Sequence, residues 1–189
     1  RLVGSEMCIR DRPSSHFWKQ GGPGDVEEGR TYSKIGALVD GYEFDWRRWR
    51  QPPGTLPQID ICQQWAVAVS ADAIADAGFD GENKDIDRVR TGVVFANALG
   101  GENRNMSNIR VWSNHTKQLA SQHGLPQTNL DSFIEDVVQG SPRIDEDTMP
   151  GELANVVSGR VANLLDLQGP NHAMDAACAS SMAAVLDAC

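Results

Sequence analysis

An α/β domain with strands and helices in layers is what this sequence predicts, and three observations predict it. Short apolar runs of strand type, residues 91–96 and 170–174, alternate with stretches of helical period. The 189 residues are 40% hydrophobic and 23% charged, ordinary values for one globular domain with a sizeable core. The second strand runs through a turn of small residues into a helical stretch, and that turn holds a cysteine, Cys178.

The elements follow in order. Residues 1–12 show no usable periodicity and read as a tail outside the domain, artefactual or disordered, leaving 13–189 as the domain proper. Residues 13–57 are rich in Gly, Pro and charge and read as a long irregular surface segment. A helix is predicted over 60–77: Asp60 caps it, Gln63 completes a capping box, and Gly78 suits the left-handed position past its end. Cys62, Ala66, Val69, Ala73 and Ala77 are expected on its buried face. Residues 91–96 are β-branched and apolar, a buried strand; 107–122 and 130–138 read as helices. Pro150 opens one further helix that runs to about Leu165, and Gly169-Pro170 launches the strand before Cys178.

Composition excludes several functions. A net charge of −9 argues against nucleic acid as a partner, because phosphate contacts need clustered Lys and Arg. No apolar run approaches the roughly 20 residues of a membrane span, and no signal-peptide core is visible. The four cysteines, Cys8, Cys62, Cys178 and Cys189, show no C-x-x-C spacing, so no zinc or redox motif is read. On one helix Cys178 and Cys189 would lie about 16 Å apart, too far for a disulfide. A reducing, cytoplasmic setting is the simplest reading.

Cys178 carries the chemistry. Ala and Ser around it let the backbone bend sharply and let a substrate approach. The unpaired N–H groups and dipole at a helix start favour a thiolate, so the pattern is that of a nucleophile for covalent acyl transfer. Cys62 and Cys189 sit in apolar helical patterns and read as inert. His172 lies six residues earlier, about 20 Å away along a strand, and reads as structural. His115 and His123 are expected to face solvent, and Asp145-Glu146-Asp147 to be a solvated loop. Ala98-Leu99-Gly100-Gly101 matches no nucleotide-binding fingerprint.

These residues also carry a resemblance. Leu167-Gln168-Gly169-Pro170-Asn171-His172, followed by Asp175-Ala176-Ala177-Cys178-Ala179-Ser180-Ser181, resembles the active-site segment of β-ketoacyl synthases. Residues 152–163 resemble the helix before that segment, and Phe44-Asp45-Trp46, residues 60–65 and Asp76-Ala77-Gly78 fall in family order. The resemblance covers roughly residues 30–189, matches nothing in residues 1–12, and is strongest to ketosynthases of polyunsaturated-fatty-acid and polyketide synthases.

What it implies is a thiolase-like layered fold, α-β-α-β-α, of which 13–189 would be the N-terminal portion. It implies that Cys178 takes an acyl group from an acyl carrier protein and that a malonyl unit is then decarboxylated and joined to it. The phosphopantetheine belongs to the carrier protein, and the chain needs no cofactor or metal of its own. It further implies a homodimer of the full-length protein, with residues 170–175 near the twofold axis. Arg47, Arg48 and Arg50 read either as a loop held by Trp46 and Trp49 or as a docking patch for the acidic carrier or its phosphate. The family needs two histidines, and usually a lysine, downstream of the cysteine, and a glycine-rich first strand; this sequence shows neither, so a fragment inactive by itself is expected. The alternatives are a thiolase-like or other cysteine acyltransferase and a non-catalytic ketosynthase-like subunit. A cysteine hydrolase of α/β-hydrolase type ranks low, because residues 176–180 lack both elbow glycines.

Overall fold

The computed structural model describes residues 6–11, 30–79, 85–98 and 101–189, the first stretch through its backbone. Leu2, Val3 and residues 13–29 of the expected irregular segment, His16 among them, lie outside the described residues, as does Leu99-Gly100. The chain divides into two compact units, Arg1–Phe44 and Asp45–Cys189.

The first unit corrects the reading of the N-terminal region. Strand β1, Glu6–Asp11, pairs antiparallel with β2, Ile35–Asp40, in a register from Glu6↔Asp40 to Asp11↔Ile35. The sequence reads residues 1–12 as an artefactual or disordered tail, and β2 lies in the stretch it reads as irregular. Six backbone-paired positions on each strand override the weak side-chain pattern, since ladder hydrogen bonds need no periodicity in the sequence.

The second unit begins with a turn over residues 46–50 and a short 3-10 turn, Leu56–Gln58. Helix α1, Ile61–Asp76, follows, and Asp60 caps it by accepting the Cys62 N–H at 2.9 Å. Gly78, at φ +83°, ends it in the left-handed region as expected. Two expectations fail here. The buried positions are Gln63, Ala66, Val67 and Ala71, while Val69, Ala73 and Ala77 are not among them. An alanine-rich helix has no dominant apolar face, so long-range contacts choose one. Nor does Gln63 close a capping box: its side chain donates to Pro150 O and Leu153 O, 87 and 90 residues away, and accepts from Arg160 Nε.

Strand β3, Val93–Ala96, is followed by α2, Glu102–Gln122, and α3, Gln127–Val138, both starting earlier than predicted. The helix expected from Pro150 is two helices, α4, Thr148–Glu152, and α5, Val156–Leu164. Between them Leu153 is extended, with its carbonyl held by Gln63, and Asp60 N–H donates to Gly151 O at 2.9 Å. Gly151 is needed there: a Cβ would stand 1.8 Å from Gln58 O.

Strand β4, Asn171–Met174, pairs parallel with β3, Val93↔Asn171 through Ala96↔Met174. A one-turn 3-10 helix, Ala177–Ala179, then leads into α6, Ser180–Ala188. Helix α5 packs on α1 and on both strands, and α6 packs on both strands. The core around these elements includes Ala66 and Val67 of α1, Val157, Val161 and Ala162 of α5, Val93, Leu167 and Ala184. This places the β4–α6 turn on a buried support, as a strand–turn–helix unit requires.

Candidate active site

Cys178 lies in the 3-10 turn between β4 and α6, is exposed, and is a free thiol. The backbone before it is sharply bent: Ala177 has φ +49°, the left-handed region that an L side chain rarely adopts. Two side chains hold the bend. Asp175 Oδ1 accepts the Ala177 N–H at 2.9 Å. Ser180 Oγ accepts the Ala176 N–H at 2.9 Å and donates to Ala177 O at 2.6 Å. Ser180 is 6% exposed. A Ser hydroxyl has one proton to donate and lone pairs to accept, so it serves both sides of the turn at once. Asp175 and Ser180 stand within the sequence motif, but nothing in the sequence reading assigned them a task. The available signal was their spacing, a short polar side chain on each side of a small-residue turn.

Beyond the C-terminal ends of β3 and β4 is a cleft of about 450 Å³, where Asn97, Arg104, Asn155, Ala173, Met174 and Asp175 meet. Ligands of open α/β sheets bind at such strand ends. Cys178 stands three residues past Asp175.

The other singled-out residues are placed elsewhere. Cys62 is partly buried on α1, with Asn97 Nδ2 at 3.7 Å from its sulfur. Burial first, then the Asp60 carboxylate, pushes its thiol up to about 12. Cys189 is exposed at the end of α6. His172 Nε2 and Asp187 Oδ2 lie 2.7 Å apart, tying β4 to α6, which agrees with a structural role. His115 and His123 are exposed, and His115 meets Trp112 edge-on at 5.5 Å. Arg47 lies over the Trp46 ring at 4.3 Å and Arg48 over Trp49 at 4.5 Å, and the Arg48 N–H donates to Asp45 Oδ1. Of the two readings of this patch, the loop held by tryptophans is the one its geometry displays. Among the described residues no helix is long and apolar enough to cross a membrane.

The arrangement is an exposed thiol on a braced turn at the ends of a parallel strand pair. Comparison with known proteins gives the family. The chain belongs to the β-ketoacyl synthases: the family model for the β-ketoacyl synthase N-terminal domain matches residues 1–189. That match extends over residues 1–12, where the motif resemblance stops. A polyunsaturated fatty acid synthase of a Thraustochytrium species, in one of its subunits, is 28% identical over 165 residues, 86% of this chain and 6% of that protein. The 3-oxoacyl-[acyl-carrier-protein] synthase 2 of Rhizobium meliloti is 29% identical over 145 residues, 77% of this chain and 28% of that protein. In structure, the oxazolomycin ketosynthase domain OzmH KS7 of Streptomyces albus aligns with a TM-score of 0.61 at 20% identity, over 97% of this chain and 26% of that one. The fold is therefore that of ketosynthase domains, the thiolase-like layered fold, and the chain spans 6% and 28% of these two curated relatives.

Proposed function

We propose that the protein containing this chain is a decarboxylating condensing enzyme and that Cys178 is its nucleophile. The Cys178 thiolate attacks the carbonyl of an acyl thioester carried on the phosphopantetheine of an acyl carrier protein. The carbonyl–sulfur bond to the carrier breaks, the carrier thiolate leaves and takes up a proton, and the acyl group stays on Cys178. A malonyl thioester on a carrier protein then loses CO₂, and the electron pair of the broken C–C bond remains as an enolate. The enolate carbon attacks the acyl-cysteine, Cys178 leaves as thiolate, and a β-ketoacyl thioester two carbons longer is released. The Cys178 N–H is the candidate donor to the thioester oxygen. None of the bonds that brace the turn uses it.

The observation that carries this reading is the Asp175–Ser181 motif on a left-handed, side-chain-braced turn, in a chain whose whole length matches the family model. The finer parts belong to the same reading: a homodimer whose contact involves β4, a cytoplasmic setting, and residues 13–189 as the N-terminal part of the condensing domain. The test is chain extension by the full-length protein with acyl and malonyl carrier-protein thioesters. Cys178→Ala is expected to lower extension by ~10³-fold or more, the scale of losing a covalent nucleophile. Extension at the parent rate by that variant would remove Cys178 from the mechanism.

A further inference from the structure

We propose that Ser180 is a positioning residue for Cys178, its hydroxyl holding the residue 176–177 backbone in the bend that presents the thiol. This rests on the reading of Cys178 as the nucleophile and adds to it a residue that acts through the backbone.

Three observations support it. First, the bend is of a kind that an alanine does not hold unaided: Ala177 sits at φ +49° and Ala176 at φ −134°, ψ 36°. Second, Ser180 Oγ spans that bend, accepting from Ala176 N–H and donating to Ala177 O, at 2.9 and 2.6 Å. Asp175 Oδ1 holds the one remaining N–H of the pair, that of Ala177. Third, Ser180 is 6% exposed and is the first residue of α6, a helix packed on both β3 and β4. The clamp is thus anchored to the sheet, and the thiol it presents is on the exposed side. A capping role does not account for Ser180: Ala179 occupies the N-cap of α6, and no side chain caps that helix. The charged and titratable groups on the flanking elements are Asp175 after β4, His172 on β4 and Asp187 on α6.

The experiment is iodoacetamide alkylation of this chain across pH 6–10, read by peptide mapping at Cys178, with circular dichroism to follow folding. Ser180→Ala is expected to keep the helix signal, to slow Cys178 alkylation near neutral pH by about tenfold, and to shift its pH profile. Ser180→Thr, which keeps the hydroxyl, restores the parent profile. Asp175→Ala removes the other brace and moves the profile the same way, and it serves as the test if Ser180→Ala does not fold. A folded Ser180→Ala with the parent profile overturns the proposal. So does loss of folding in both variants, which would make these bonds supports of the whole domain. The reading of Cys178 fails on a different arm: in the parent chain, Cys62 or Cys189 would react first.

Discussion

Asp60 shows what one residue can do in this chain. It is 1% exposed, and its carboxylate accepts the Cys62 N–H of α1 through Oδ1 and the Asn103 N–H of α2 through Oδ2. One buried side chain therefore caps two helices whose starts are about 40 residues apart in sequence. Gly101 allows it, because a Cβ there would stand 2.1 Å from the Asp60 carboxylate. Asp60→Ala is expected to lower stability by about 2 kcal/mol, two caps at about 1 kcal/mol each. Gly101→Ala should do comparable damage while leaving Asp60 in place. Denaturant unfolding of both variants checks this, and parent stability in Gly101→Ala would refute the close contact. The first cap was legible in the sequence, as Asp60 before a helical run. The second was not, because its partner lies across a strand and a loop.

Cys62 gives a second prediction at this scale. Its thiol is raised from 9.0 to about 12, so the folded state keeps the proton that the unfolded chain begins to lose near pH 9. The sign follows: this contribution is fully present below pH 9 and is lost as pH rises toward 12. Stability measured from pH 9 upward should fall, and Cys62→Ala should flatten that limb; an unchanged limb counts against the assignment. For the same reason Cys62 should resist alkylation at pH 8, where Cys178, exposed on its turn, reacts.

Among the elements, those with strong local signals were legible: α1 with its cap and Gly78, β3, β4 and the turn into α6. The break between α4 and α5 was not. Two groups outside residues 148–164 hold the break, the Gln63 amide on Leu153 O and the Asp60 N–H on Gly151 O, and Arg160 of α5 ties back to Gln63. Gln63 was also the residue that the choice of helix face missed, because a buried glutamine hides a polar network behind a polar letter. It is 1% exposed and its amide uses both donor and acceptor sides. Gln63→Leu fills the same space but takes the Gln63 partner from the Leu153 carbonyl and from Arg160 Nε, while Pro150 O keeps the Arg160 Nη2 donor; burial already opposes the ionisation of that guanidinium. The expected loss is about 2–3 kcal/mol, read by thermal or denaturant unfolding. A neutral result would show that the break holds without the network.

At the scale of the whole molecule, motif and fold were legible together, since Cys178 and its neighbours lie where strand, turn and helix were expected. The β1–β2 pair was not, because it rests on backbone pairing between short segments of weak pattern. Helix α6 leaves Met182, Val185 and Leu186 exposed, at 71%, 61% and 79%. Large apolar side chains so exposed on one short helix favour association. This chain is expected to self-associate as its concentration rises, and Leu186→Glu to lower that tendency, both read by light scattering. Identical behaviour of the two would contradict the role given to α6.

Intact mass measurement with peptide mapping decides whether Cys178 takes an acyl group into a covalent thioester. The chain is incubated with an acyl carrier-protein thioester and quenched in acid. One added acyl mass is expected, located on Cys178, released by hydroxylamine and absent in Cys178→Ala. An adduct on Cys62 or Cys189, or one that persists in Cys178→Ala, would contradict it.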